Sequence, residues 1–275
     1  MKKILVPTDF SPQASIAVDA AIKIAKITGS SILLYHCSSE PDARLKKSAY
    51  KVNEEYTGNK SAMMMQEVEK KCSAQKVSCE SLINSGHFID NIDSLVAREK
   101  FDLIVMGSHG ASGKQEYFIG SNTQKVIRKV HANLLILKEP LPQINFETVL
   151  FATNLGISDQ EAFANFLSFI RQFNLKKIHL LTIDTPGWFT QPRILIEERQ
   201  QEFKEMADAY EVETHFLRNF TVETGIRKFS EQLNVDLIVI SNYERHLLKR
   251  IFSGSNVEML ANHSDLPVLS LDRKS

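Results

Sequence analysis

The chain has 275 residues, 43% of them hydrophobic, enough to bury two ordinary cores at the usual domain length of about 100 to 200 residues. Lysine plus arginine balances aspartate plus glutamate at 33 each, so no global field recruits nucleic acid or an anionic membrane. The three cysteines, Cys37, Cys72 and Cys79, lack CxxC spacing and the eight histidines form no HxxxH pair, which offers neither a disulfide framework nor a metal cage.

The opening "MKKILVPTDF" has an apolar run too short for a signal peptide. No later segment approaches the roughly 18 apolar residues of a membrane span, so a cytoplasmic protein is expected. Ile4 to Val6 read as a short strand ended by Pro7. Ser11 and Pro12 then offer a cap and a first helical residue, Ile16, Ala20, Ile24 and Ile27 recur at helical spacing, and Gly29 closes the helix before the strand "SILLYHC". The polar stretch Glu40 to Asn59 reads as a surface loop or a lid. A helix is expected over Lys60 to Ala74, with Met63 to Met65 as core filler or an interface patch. The strand "KVSCESLI", a helix ending near Lys100, the strand "DLIVM", a glycine-bearing loop, a helix after Gly120 and the strand "LLILK" complete the half.

After the linker "EPLPQIN" the same order returns. "ETVLFATN" leads to a helix with Ser158 as its cap and an apolar stripe through Phe163, Phe166, Leu167 and Ile170. A helix over Arg193 to Tyr210, the strand "VETHFLR", a helix ending near Asn234, the strand "DLIVI" and the strand "LPVLSL" follow. Nearly uniform apolar strands alternating with helices indicate a parallel sheet covered on both faces, and right-handed crossovers make each half doubly wound α/β. The expected organisation is a domain over 1–139, a linker over 140–145 and a second domain over 146–275.

In such a sheet, ligands bind outside the carboxyl ends of the strands, where strand order reverses. The loop "GSHGASGKQEYFIGSN" lies there, with Gly107, Gly110 and then Gly120 followed by Ser121 at a helix start. Glycines let backbone amides approach a phosphate, and the helix start adds free N–H groups and the positive end of its dipole. His109 reads as a phosphate-side donor or a packing residue, and Lys114 as a solvated cation. No GxxxxGK[ST], no GxGxxG after the first strand and no GxSxG elbow occurs here. On the residues alone, Asp9 and Ser121 are also open to reading as helix caps, and Gly107 and Gly110 as tight-turn formers.

The pattern G-x2-G-x9-G-[ST] beside "VPTDFS" resembles the ATP-binding branch of the universal stress protein family, over essentially the whole chain as two tandem copies. The resemblance implies two Rossmann-like, adenine nucleotide α-hydrolase-like domains, each with a five-stranded parallel sheet. It implies that Pro7, Thr8 and Asp9 line the adenosine end, Asp9 meeting the ribose or a magnesium ion. Cys37 would lie beside the adenine through its backbone with Met106 packed nearby, while Gly107, Gly110, Gly120, Ser121 and Asn122 hold the phosphates of ATP. It also implies an intramolecular pseudo-dimer through the strands "LLILK" and "LPVLSL", and leaves further homodimerisation open.

The second copy departs from the pattern: Asn154 replaces Asp9, Ser241 and Glu244 replace Gly107 and Gly110, and only Gly254 and Ser255 persist. A carboxylate at Glu244 would repel phosphate, so no ATP is expected there, and Trp188 and Phe189 suit either another ligand or a closed pocket. The expected function is a stress-response or signalling protein that binds ATP in its first domain, with no catalytic residue assigned. A slow ATPase or nucleotidyl-transfer enzyme and a nucleotide-free interaction scaffold are the alternatives.

Overall fold

The computed structural model describes residues 1–38, 60–108, 119–185, 192–242 and 255–272, in two compact units, Met1–Ile144 and Asn145–Ser275. The expected loop or lid, Glu40 to Asn59, lies outside the described residues, as do His109, Gly110, Lys114, Trp188, Phe189, Glu244 and Gly254.

The first unit runs β1 (Lys3–Pro7), α1 (Pro12–Thr28), β2 (Ser31–Ser38), α2 (Lys60–Ala74), β3 (Cys79–Ser85), α3 (Phe88–Arg98), β4 (Leu103–Gly107), α4 (Ser121–Lys129) and β5 (Leu134–Leu137). Its strands lie in the order β3-β2-β1-β4-β5, every pair parallel. Ile4, Leu5 and Val6 are fully buried at the centre, as a strand covered by helices on both faces requires. Helix α1 starts where Ser11 Oγ accepts from Ala14 N, carries Pro12 at its first position and stops at Gly29, whose φ of 68° suits a residue without Cβ. It rests on the sheet through a face rich in small residues, Ala14, Ala17, Val18, Ala21, Ile22 and Ala25, and Ile27, outside that face, is 47% exposed. Met65 is buried in α2 whereas Met63 points to solvent.

The second unit repeats the order as β6 (Thr148–Ala152), α5 (Ile157–Ile170), β7 (Lys177–Asp184), α6 (Arg193–Met206), β8 (Glu211–Arg218), α7 (Val222–Gln232), β9 (Leu237–Ser241), α8 (Asn256–His263) and β10 (Val268–Leu271). Its strand order is β10-β9-β6-β7-β8, again all parallel. The predicted stripe of α5 is buried, and Phe163 sits 4.8 Å from Phe151 and 5.1 Å from Phe203 between ring centroids. Ser158 is not the cap expected of it: Gly156 occupies that position without a side-chain bond, because the preceding turn closes two residues earlier.

Candidate functional site

In the first unit β1 pairs with β2 on one side and β4 on the other, so successive connections leave β1 in opposite directions and a crevice opens at the carboxyl ends of β1 and β4. A cleft of about 160 Å³ occupies it. Pro7, Thr8 and Asp9 form one wall, Cys37 and Met106 sit at the ends of β2 and β4, and Gly107, Gly120, Ser121 and Asn122 form the facing wall. Nine of the ten residues singled out in the sequence thus meet at one place, and the tenth, Gly110, lies outside the described residues.

The wall after β1 is a tight turn held by its own side chains. Thr8 Oγ1 accepts from Phe10 N at 3.0 Å, Asp9 Oδ1 accepts from Ser11 N at 3.0 Å, and Phe10 takes a φ of 63°. Asp9 therefore orders the turn while Ser11 caps the helix, which corrects the reading of Asp9 as the cap. Thr8 N donates to Tyr35 O at 2.8 Å, and the His36 ring lies 4.6 Å from that of Phe10 with Nδ1 2.9 Å from Thr8 O. Cys37 Sγ donates to Gly86 O at 3.3 Å, which turns the thiol toward the next loop.

Gly107 lacks a side chain for a reason internal to the fold: a Cβ there would collide with the Gln13 backbone carbonyl at the start of α1. Thr123 Oγ1 donates to Gly107 O at 3.0 Å and so ties α4 to the end of β4. Gly120 is the N-cap of α4 without a side-chain bond, and Ser121 is the first helical residue rather than the cap. The start of α4, where backbone N–H groups lack intrahelical partners, thereby borders the cleft. Ala14, Gln13, Phe88 and Thr123 also line it. Nothing in their spacing marks them, because each reaches the cleft only through the packing of its helix against the sheet.

The second unit builds the same turn and fills it differently. Thr153 Oγ1 accepts from Leu155 N at 2.8 Å, Asn154 Oδ1 accepts from Gly156 N at 2.7 Å, and Leu155 has a φ of 62°. At the position of Ala14 stands Asp159, buried, whose Oδ2 accepts from Asn154 N at 2.7 Å and from Thr153 Oγ1 at 2.9 Å. At the start of α8, Ser255 Oγ accepts from Glu258 N at 3.2 Å and lies 3.3 Å from Glu258 Oε1, where the first unit has Ser121 and Gln124. The second cleft, about 240 Å³, is the larger, so chemistry rather than size separates the two. One is bordered by a helix start without a side-chain cap, and the other holds the buried Asp159 carboxylate against its turn.

No helix among the described residues is long and apolar enough to cross a membrane. A universal stress protein of Methanocaldococcus jannaschii is 28% identical over 153 residues, which cover 50% of this chain and 94% of that protein. A second universal stress protein of the same organism is 28% identical over 141 residues, covering 50% of this chain and 83% of the relative. The crystal structure of a universal stress protein from Archaeoglobus fulgidus superimposes with a TM-score of 0.79 at 19% identity, over 99% of this chain and 98% of the other, which shows a shared fold. A structure from Pseudomonas aeruginosa described as functionally unknown does so with a TM-score of 0.69 at 14% identity, over 98% of this chain and 92% of the other. The sequence profile of the Universal stress protein family matches residues 1–138 and again 145–271. With two Rossmann-like α/β units in tandem, each matched by that profile, the chain belongs to the universal stress protein family.

Proposed function

We propose that the first unit binds an adenine nucleotide, ATP, in the cleft between β1 and β4, and that the chain acts as a nucleotide-responsive stress protein in the cytoplasm. The observation that carries this reading is the helix start at Gly120 and Ser121, bordering the cleft without a side-chain cap, while the matching helix of the second unit caps itself with Ser255 and Glu258. Amides at a helix start favour a polyanion, and a phosphate takes the place that a capping oxygen otherwise fills. Gly110, Ser121 and Asn122 would complete the phosphate wall, with the adenosine against Pro7, Thr8, Cys37 and Met106. Asp9 is the one carboxylate among the described lining residues and would meet the ribose or a magnesium ion.

No nucleophile paired with a general base stands among the described lining residues, which favours binding over turnover. Gently purified full-length protein, denatured and examined by mass spectrometry, is expected to release adenine nucleotide, and added ATP is expected to raise its melting temperature. Gly110→Glu, which imports the second copy's residue, is expected to abolish both effects and leave the fold intact. If neither effect is seen in the unaltered protein, the reading fails. Steady ATP consumption above about 1 per second, an ordinary enzymatic rate, would replace it with an ATPase.

A further inference from the structure

At the edge of the second unit, β7 and β8 pair in parallel with His179 opposite Glu213 and Leu181 opposite His215. Side chains alternate faces along a strand, so His179, Glu213 and His215 project from the same face. His179 is 5% exposed, His215 is half-buried with its ring 4.7 Å from that of Phe229, and Glu213 faces solvent. His179 Nδ1 lies 3.0 Å from His215 Nε2 and 3.6 Å from Glu213 Oε2, and His215 Nε2 lies 3.9 Å from Glu213 Oε1. A tetrahedral zinc ion holds nitrogen and oxygen donors at about 2.0 to 2.2 Å, which sets the donors about 3.3 to 3.5 Å apart. The three spacings bracket that value, and a turn of the imidazoles about their soft terminal torsions aims both nitrogens at a common point.

The first unit shows that the fold does not need these histidines. Counting from the residues that pair with β1 and β6, Leu33 corresponds to His179, Glu80 to Glu213 and Leu82 to His215. The same sheet face is thus built once with two leucines and once with two imidazoles beside a retained glutamate. Setting imidazole nitrogens where leucines pack costs burial free energy unless those atoms gain a partner; here His179 Nδ1 and His215 Nε2 bond each other, and a metal ion would replace that bond. Lys177 Nζ lies 2.9 Å from both Glu213 Oε2 and Glu211 Oε1, so it keeps a partner when Glu213 turns away from it.

We propose that His179, His215 and Glu213 form a site for one divalent transition-metal ion of the zinc class, with solvent in the remaining position. Two imidazoles and a carboxylate, with a solvent-facing side, match the donor set and open position of such sites. The ligands come from neighbouring strands 36 residues apart in sequence, which is why no HxxxH spacing announces them.

The test is a titration of the metal-free, full-length protein with zinc against a chromophoric chelator, repeated with cobalt as a spectroscopic reporter. One equivalent is expected to bind, with a tetrahedral cobalt spectrum free of thiolate charge transfer. The pair His179→Leu and His215→Leu, which restores the first unit's residues, is expected to lose this equivalent while keeping a cooperative metal-free melting curve. Glu213→Gln, at an exposed side chain, keeps the test open if the leucine pair does not fold. It should weaken zinc by more than the about 10- to 100-fold that loss of an outer-shell partner costs. Absence of a one-equivalent site in the unaltered protein, a thiolate-type cobalt spectrum, or unchanged affinity in either variant would overturn the proposal.

Discussion

Position 14 and its counterpart at 159 show how one side chain redirects a shared turn. The turns Thr8 to Ser11 and Thr153 to Gly156 have a positive-φ residue at the same position, Phe10 and Leu155, and the same two side-chain hydrogen bonds. Ala14 brings only a methyl group to the wall of its cleft, whereas Asp159 accepts from the backbone and side chain of its own turn. Ala14→Asp is therefore expected to lower nucleotide affinity at least about tenfold, since a carboxylate bound to Thr8 and Asp9 would repel a polyphosphate at close range. Equilibrium dialysis with labelled ATP measures this, and unchanged affinity would show that the nucleotide does not occupy this cleft. Gly107 carries a related lesson, because the sequence marks it as a glycine near a ligand and the structure gives it a second duty, admitting the Gln13 carbonyl. That duty cannot be read from the loop, since Gln13 reaches Gly107 only when α1 packs on the sheet.

Helices α4 and α8 start at matching Gly-Ser pairs, yet their starts are built differently. Ser255 is a cap that accepts from Glu258 N, and Ser121 is a first helical residue with no capping bond. Ser255→Ala should accordingly destabilise the protein by about 1 kcal/mol, the usual cost of a lost N-cap. Ser121→Ala should leave unliganded stability nearly unchanged and weaken nucleotide binding instead. Thermal unfolding of both variants, with and without ATP, separates these effects. Equal loss of stability without ligand would show that Ser121 caps its helix after all. The Ser-x-x-Glu of "SNVE" is a legible capping box, whereas "SNTQ" permits the same arrangement and does not form it, so local pattern alone did not decide which serine caps.

Across the whole chain, duplication supplies two units of one topology, of which the second holds the Asp159 carboxylate at the wall of its cleft. Binding measured by calorimetry on the full chain is expected to give one nucleotide per chain. At a concentration of ATP 100 times its dissociation constant, the bound unit should gain about 2.7 kcal/mol of stability. Two equivalents would mean that Asp159 yields its place to phosphate, against the charge argument.

The sequence by itself determined the duplication, the alternation of strands and helices, and the meeting of Pro7, Thr8, Asp9, Cys37, Met106, Gly107, Gly120, Ser121 and Asn122 at one crevice. The duplication and the alternation follow from local periodicity, and the site set follows from the family resemblance together with the rule that a doubly wound sheet opens at its carboxyl edge. Tertiary structure alone decided that Gln13 abuts Gly107, that Asp159 occupies its own turn and that His179 meets His215 across two strands. Strand register and helix packing fix those contacts, and both are set by the burial of the whole sheet rather than by any short stretch of chain.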